Sequence, residues 1–286
     1  MEQTQPKASA PAAFAGGITR LWTDLIQGMG VPRLIITGFV LALFVLALFL
    51  KMDLTILISD SLVRIGMNGL LVLSMLPTLA CGSGLNFGLP VGVACGLVGG
   101  VIVMNLNLTG FGGFLAACAI ALPLAVVAGY LYALLLDKVR GQEMMVGTYV
   151  GFSVVSAMCI FWLMAPFKNP ALIFAIGGKG LRYTLTLGNN FGKVLNNFLV
   201  FNVFGVTIPT GLLLFFAAFC VLAALFFRAR TGLAIIAVGA NPSYAISSGI
   251  NVLAMRHAGV ILSTTLAAIG ILVYAQSYGF LQLYTA

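Results

Sequence analysis

Seven mostly apolar stretches run through this chain, at about 34–50, 61–80, 87–104, 112–136, 145–165, 209–227 and 257–276. Each is close to the roughly 17 to 25 residues a helix needs to cross a bilayer, and none alternates with the period of two expected of a barrel strand. Backbone groups inside hydrocarbon must find their partners within the protein, so the pattern predicts an all-α, polytopic transmembrane helical bundle of seven crossings. Composition agrees. Of 286 residues, 61% are apolar and 7% charged, with a mean hydropathy of +1.13. Soluble domains carry about 25% charged residues, which sets aside a soluble enzyme, a disordered tail and a nucleic-acid module. The net charge of +8 comes from basic residues scattered between the apolar blocks. In a membrane protein such residues set orientation, and they form no nucleic-acid patch here.

Orientation follows from the loop charges. With the N-terminus inside the cell membrane, Lys7, Arg20, Arg33, Lys138, Arg140, Arg228, Arg230 and Arg256 fall on the cytoplasmic side. Lys51, Arg64, Lys168, Lys179, Arg182 and Lys193 fall outside, and Lys179, Arg182 and Lys193 lie deep in one long loop, where charge counts least. Residues 1–33 then form a cytoplasmic segment, with Phe14, Ile18, Leu21, Trp22, Leu25, Ile26 and Met29 on one face of an interfacial helix. Residues 34–286 form the membrane domain.

The stretch from Cys81 to Gly92 holds four glycines, a proline, a serine and an asparagine. Backbone this irregular survives at membrane depth only when buried in protein or lining a water-filled cavity. A broken helix near 81–90 is therefore expected, either beside a translocation path or as a tight loop at the cytoplasmic surface. Ser83, Asn86 and Phe87 are its candidate path residues. Gly84, Gly88, Gly92, Gly96 and Gly100 recur at every fourth position, a small-residue groove suited to helix packing. Gly259, Ser263, Ala267 and Gly270 make a similar stripe on the last span.

Arg64 and Asn68 share one face of the second span, with Ser61 a turn earlier. Asn68 is either a path residue that hydrogen-bonds a polar solute or a partner in an interhelical bond. Asn105, Asn107 and Thr109 read as a loop cap, and His257 as an interfacial residue. The long outer loop 166–208 either docks an external partner or is solvated around a short amphipathic helix. Cys81, Cys95, Cys118, Cys159 and Cys220 lie in apolar runs without metal-ligand spacing, and His257 is the sole histidine, so neither a metal site nor a catalytic site is expected.

Between the last two spans the chain predicts a cytoplasmic hairpin over 229–252. A short helix ends near Val238, the chain breaks at Gly239-Ala240-Asn241-Pro242, and a second short helix follows, capped by Asn241 with Pro242 in its first turn. Here the sequence resembles the permease subunits of ABC importers of the branched-chain amino acid and monosaccharide/nucleoside type. Ala234, Ile235, Ala237, Val238, Gly239, Asn241, Pro242, Ala245, Ser248, Gly249, Ile250, Asn251 and Val252 match that family's hairpin in order. Its glycine-rich element is matched loosely by residues 81–88, with Asn86 in place of the common acidic residue. The resemblance covers roughly residues 60 to 286, and family members usually continue for two or three helices more.

The resemblance implies a membrane subunit that pairs with a second permease subunit, homo- or heterodimeric, and receives solute from an extracellular solute-binding protein. Cytoplasmic ATP-binding cassette subunits would drive it through Arg230, Gly239, Asn241, Pro242, Ser248 and Gly249. ATP and magnesium would belong to those partners, in keeping with the absence of a G-x-x-x-x-G-K-[ST] run in this chain. A sugar or nucleoside is the expected solute. The rival is a carrier or channel working alone, which usually needs intramembrane Asp, Glu or His; the acids Glu2, Asp24, Asp53, Asp60, Asp137 and Glu143 all map to loops or span ends.

Overall fold

The computed structural model describes residues 31–139, 141–164, 184–188, 190–203 and 205–282. The interfacial helix expected over 14–29, together with Arg140, Lys168, Lys179 and Arg182, lies outside the described residues. The helices are α1 (Val31–Phe49), α2 (Leu54–Ser74), α3 (Leu76–Ala80), α4 (Leu89–Asn105), α5 (Gly110–Lys138), α6 (Glu143–Met164), α7 (Val194–Asn197), α8 (Thr210–Arg228), α9 (Arg230–Ala240), α10 (Pro242–Ser247) and α11 (Val252–Tyr278). Residues 1–57 and 58–286 are separate compact units, and all packing described below lies within the second.

Among the described residues, 6 helices are long and apolar enough to cross a membrane: α1, α2 continued by α3, α5, α6, α8 and α11. The remaining expected span is α4, which has 17 residues. At 1.5 Å per residue it is about 25 Å long, the lower limit for a crossing, because the irregular segment before it uses up the residues of its first turns. α2 starts at Leu54, earlier than the apolar run at 61 predicts. Asp60 therefore sits within a helix, on an exposed face, and not in a loop or at a span end as expected.

α11 is the centre of the bundle. Its most apolar window is 72% buried, against 33% for α5, and α4 and α5 flank it. Lipid tails are as apolar as leucine, so helices in a membrane associate by close packing, which small residues permit. α4 shows this on two sides. A Cβ on Gly92 or Gly96 would overlap the α11 carbonyl oxygens of Thr264 or Ala268, and one on Gly99 would lie 2.9 Å from the Ala117 carbonyl of α5. Gly100 sits against Leu272 and Leu281. The five-glycine stripe is not continuous helix, however. Gly84 has a φ of 78° and Gly88 precedes the first residue of α4, so the helical part begins at Gly92.

At the end of the bundle opposite the hairpin, the described part of the long loop holds the short helix α7 and short strands. β1 (Thr184–Thr186) pairs with β4 (Phe280–Gln282), and β2 (Val200–Val203) with β3 (Val206–Pro209), both antiparallel. The buried Gln276 holds this layer to α11: its Oε1 accepts from the Leu195 amide at 3.1 Å and its Nε2 donates to Asn196 Oδ1 at 3.2 Å. Asn107 closes α4 in a left-handed conformation, φ 54°, with its amide bonded to Met104 and that of Leu108 to Val103. That is the loop cap expected there, in Schellman form.

Substituting Gly96 by leucine should abolish or strongly reduce the folded, monodisperse fraction after detergent extraction, since overpacking against backbone costs about 1–3 kcal/mol or more. Gly112→Ala, at a glycine with nothing within 4 Å, should leave extraction and thermal unfolding unchanged.

Candidate coupling and translocation site

The break is built from a helix that ends early. α3 is closed by Gly82, whose φ of 76° is left-handed. The Gly82 amide donates to Leu79 O and the Ser83 amide to Thr78 O, each at 3.2 Å, a Schellman closure that only a residue without Cβ adopts at low cost. The chain then runs through Gly84 to Asn86, which is 5% exposed. Asn86 holds both ends of the turn: Oδ1 accepts from the Gly88 amide at 3.0 Å, and Nδ2 donates to Ser263 Oγ of α11 at 2.8 Å. Ser263 lies about 16 Å along α11 from its start. The break thus reaches from one end of the bundle well into it.

The hairpin is the two short helices α9 and α10, and asparagine caps open α10 and the central helix that follows it. Asn241 Oδ1 accepts from the Tyr244 amide at 3.1 Å, with Pro242 opening α10, and Asn251 Oδ1 caps α11 through the Ala254 amide at 3.1 Å. Gly249, φ 77°, closes α10: its amide bonds to Ile246 O at 3.0 Å and that of Ile250 to Ala245 O at 2.9 Å. Ser248 is the C-cap residue, and Arg230, Asn241, Pro242, Ser248 and Gly249 are all exposed. One face of the hairpin is anchored, through buried Gly232, Ile235, Val238 and Ala245. The other is open to solvent.

Break and hairpin touch through bare backbone. A Cβ on Gly239 would overlap the Ala80 carbonyl oxygen and sit 3.0 Å from the Gly82 nitrogen, and one on Gly82 would lie 2.9 Å from the Gly239 Cα. Gly259 of α11 closes the third side, with Cys81 Sγ 2.9 Å from the position of its absent Cβ. At Gly239 the hairpin and the turn after α3 meet backbone to backbone, and at Gly259 the compact Cys81 side chain fills the space between that turn and the central helix. Contacts this close leave little room for one segment to shift without its neighbour.

The remaining candidates are dispersed. Ser83 is half-buried beside Asp137, Glu143, Arg256 and His257, and with Gly82 and Gly84 it also borders an open hollow reaching the α5–α6 turn at Gly141–Met145. Phe87 is 44% exposed. Gly88 leaves room for the Tyr132 ring. Asn68 is exposed on α2 and donates through Nδ2 to the Arg64 carbonyl at 3.0 Å. It makes no bond to another helix among the hydrogen bonds of the described residues.

One association escaped the sequence reading. His257 Nε2 pairs with Asp137 Oδ2, the two side chains 15% and 20% exposed, joining the start of α11 to the end of α5. His257 is thus not simply solvated at the interface. Neighbouring Arg256 has a buried Nε without a hydrogen-bond partner. The signal was present in two span ends that each carry a titratable group, but 120 residues separate them and no local pattern links them. Among the described residues, no three His, Cys, Asp or Glu side chains converge as metal ligands would, and all five cysteines are free.

A family model described as the permease component of the branched-chain amino acid transport system matches residues 57–285. No curated protein and no solved structure matches the chain.

Removing either partner of the Asn86–Ser263 bond leaves a buried polar group unpaired. Asn86→Ala and Ser263→Ala should each lower stability by about 1–3 kcal/mol, and the double variant should cost less than their sum. Thermal unfolding of the solubilised protein measures this, and strictly additive losses would dissociate the two residues energetically.

Proposed function

This chain belongs to the branched-chain amino acid transport permease family, and from that premise we propose that it is the permease subunit of an ABC importer, coupled to separate ATPase subunits through α9 and α10. The observation that carries the coupling role is the backbone contact between Gly239 and the Ala80–Gly82 turn. An exposed hairpin with one anchored face and one free face is a lever. Its inner end rests on the helix break, and the break is tied by Asn86 to the most buried helix in the bundle.

In this reading ATP binding and hydrolysis occur in partner subunits that press on the free face of the hairpin near Arg230, Asn241, Pro242, Ser248 and Gly249, with the N-terminus and hairpin cytoplasmic. The push tilts α3 against α11, and alternating access follows from the rearranged contacts around residues 81–88. The exposed strip of α2 with Arg64 and Asn68 would face a second permease subunit and the path between the two. Solute would arrive from an extracellular binding protein. It is a small polar molecule, with sugars and nucleosides preferred, since Asn68, Ser83 and Asn86 supply neutral hydrogen-bonding groups. The Asn86 amide is already engaged with Ser263 and Gly88, so it would meet solute only when that bond opens.

Gly239→Ala, in the complex reconstituted with its ATPase and binding protein, should reduce uptake on the order of tenfold, the effect of about 1.4 kcal/mol on the transition between states. ATP hydrolysis should persist and the ATPase should still co-purify. Unchanged uptake would remove the Gly239 contact from the coupling route, and uptake by the purified chain without any ATPase would replace the importer with a carrier working alone. Thermal shift of the co-purified binding protein with sugars, nucleosides and branched-chain amino acids identifies the solute class.

A further inference from the structure

An apolar recess of 330 Å³ opens between α2, α3, α8 and α11, lined by Leu73, Pro77, Phe219, Ala223, Phe226 and Leu266 among others, and almost devoid of polar surface. The short helix α3 shapes it, because Pro77 opens that helix where α2 ends. Phe226 and Phe227, both on the recess wall, are followed at once by Arg228 and then by Arg230. The first turn of α9 is held to that corner, since a Cβ on Gly232 would overlap the Phe226 carbonyl oxygen. Both arginines are exposed, and no acidic partner is bonded to either among the described residues.

We propose that this corner binds an anionic phospholipid, its phosphate held by Arg228 and Arg230 and one acyl chain lying in the recess. Each half of the site matches one half of such a molecule. Arginine at the membrane surface recognises phosphate through paired N–H donors, and a wall without hydrogen-bonding groups accepts only hydrocarbon. An acyl chain is a single file of methylenes, and a recess of 330 Å³ with an open side accommodates one. The bound chain would touch Leu262 and Leu266 of the central helix, on either side of Ser263 in sequence. Lipid occupancy would therefore bear on the helix that holds the break.

The site is read directly by native mass spectrometry of the purified protein after exchange into mixtures of phosphatidylglycerol and phosphatidylcholine with identical acyl chains. Wild type should retain phosphatidylglycerol with a preference on the order of 25-fold, each of the two arginines near the surface supplying roughly fivefold. Arg228→Gln with Arg230→Gln should remove the preference, and Ala223→Phe should reduce retention of both lipids by filling the recess. Equal retention of the two lipids by wild type would overturn the proposal without recourse to any variant. So would displacement of phosphatidylglycerol by free glycerol phosphate at matched concentration, which would show that the acyl chain contributes nothing. The measurement involves no ATPase and no solute, so its outcome is independent of the importer reading.

Discussion

Backbone polar groups have no water to turn to inside a bilayer, and the bundle is organised by that constraint. At the break after α3, the turn's own backbone and a side-chain amide cover polar groups that helical bonding leaves open. The turn after α3 closes its own carbonyls, and Asn86 satisfies the Gly88 amide and Ser263 together. α11 can serve as the common wall because its residues are small. Gly259, Ser263, Ala267 and Gly270 let α3, the break, α4 and α2 each approach its backbone.

The same tightness gives the molecule its mechanical character. Contacts made through glycine Cα atoms and carbonyl oxygens have no rotamers in which to absorb movement. In the proposed coupling role, a hairpin of two short helices seated on such a contact would transmit displacement more faithfully than one seated on leucine side chains. The polar tie at Asn86 supplies the complementary property, a bond that breaks and reforms at a cost of a few kcal/mol. At the opposite end Gln276 and Asn196 fasten the short strands and α7 to the same helix, so α11 is held by polar ties towards both ends and by close packing between them.

Much of this was legible beforehand, for identifiable reasons. Apolar run length located the six helices that are long enough to cross among the described residues, although α4 fell short of that length and α2 began earlier than its run, because helix ends follow capping and turn chemistry more than hydropathy. Asn241 and Pro242 announced the start of α10, since cap preferences are local. Asn107 announced the cap at the end of α4. The partners were not legible. Nothing in the neighbourhood of Gly239 says that it meets Ala80, nothing near Asn86 names Ser263, and His257 with Asp137 looked like two unrelated span ends.

From the sequence alone came the membrane-spanning character, the broken helix, the hairpin and the family resemblance, because length, apolarity, glycine and proline act within a few residues of themselves. Tertiary structure decided which glycines are contact points and which are turns, that α11 is the buried centre, and that hairpin and break share a backbone contact. Those facts depend on which distant helices come within van der Waals reach, and close packing between helices is a property of pairs that no single segment carries.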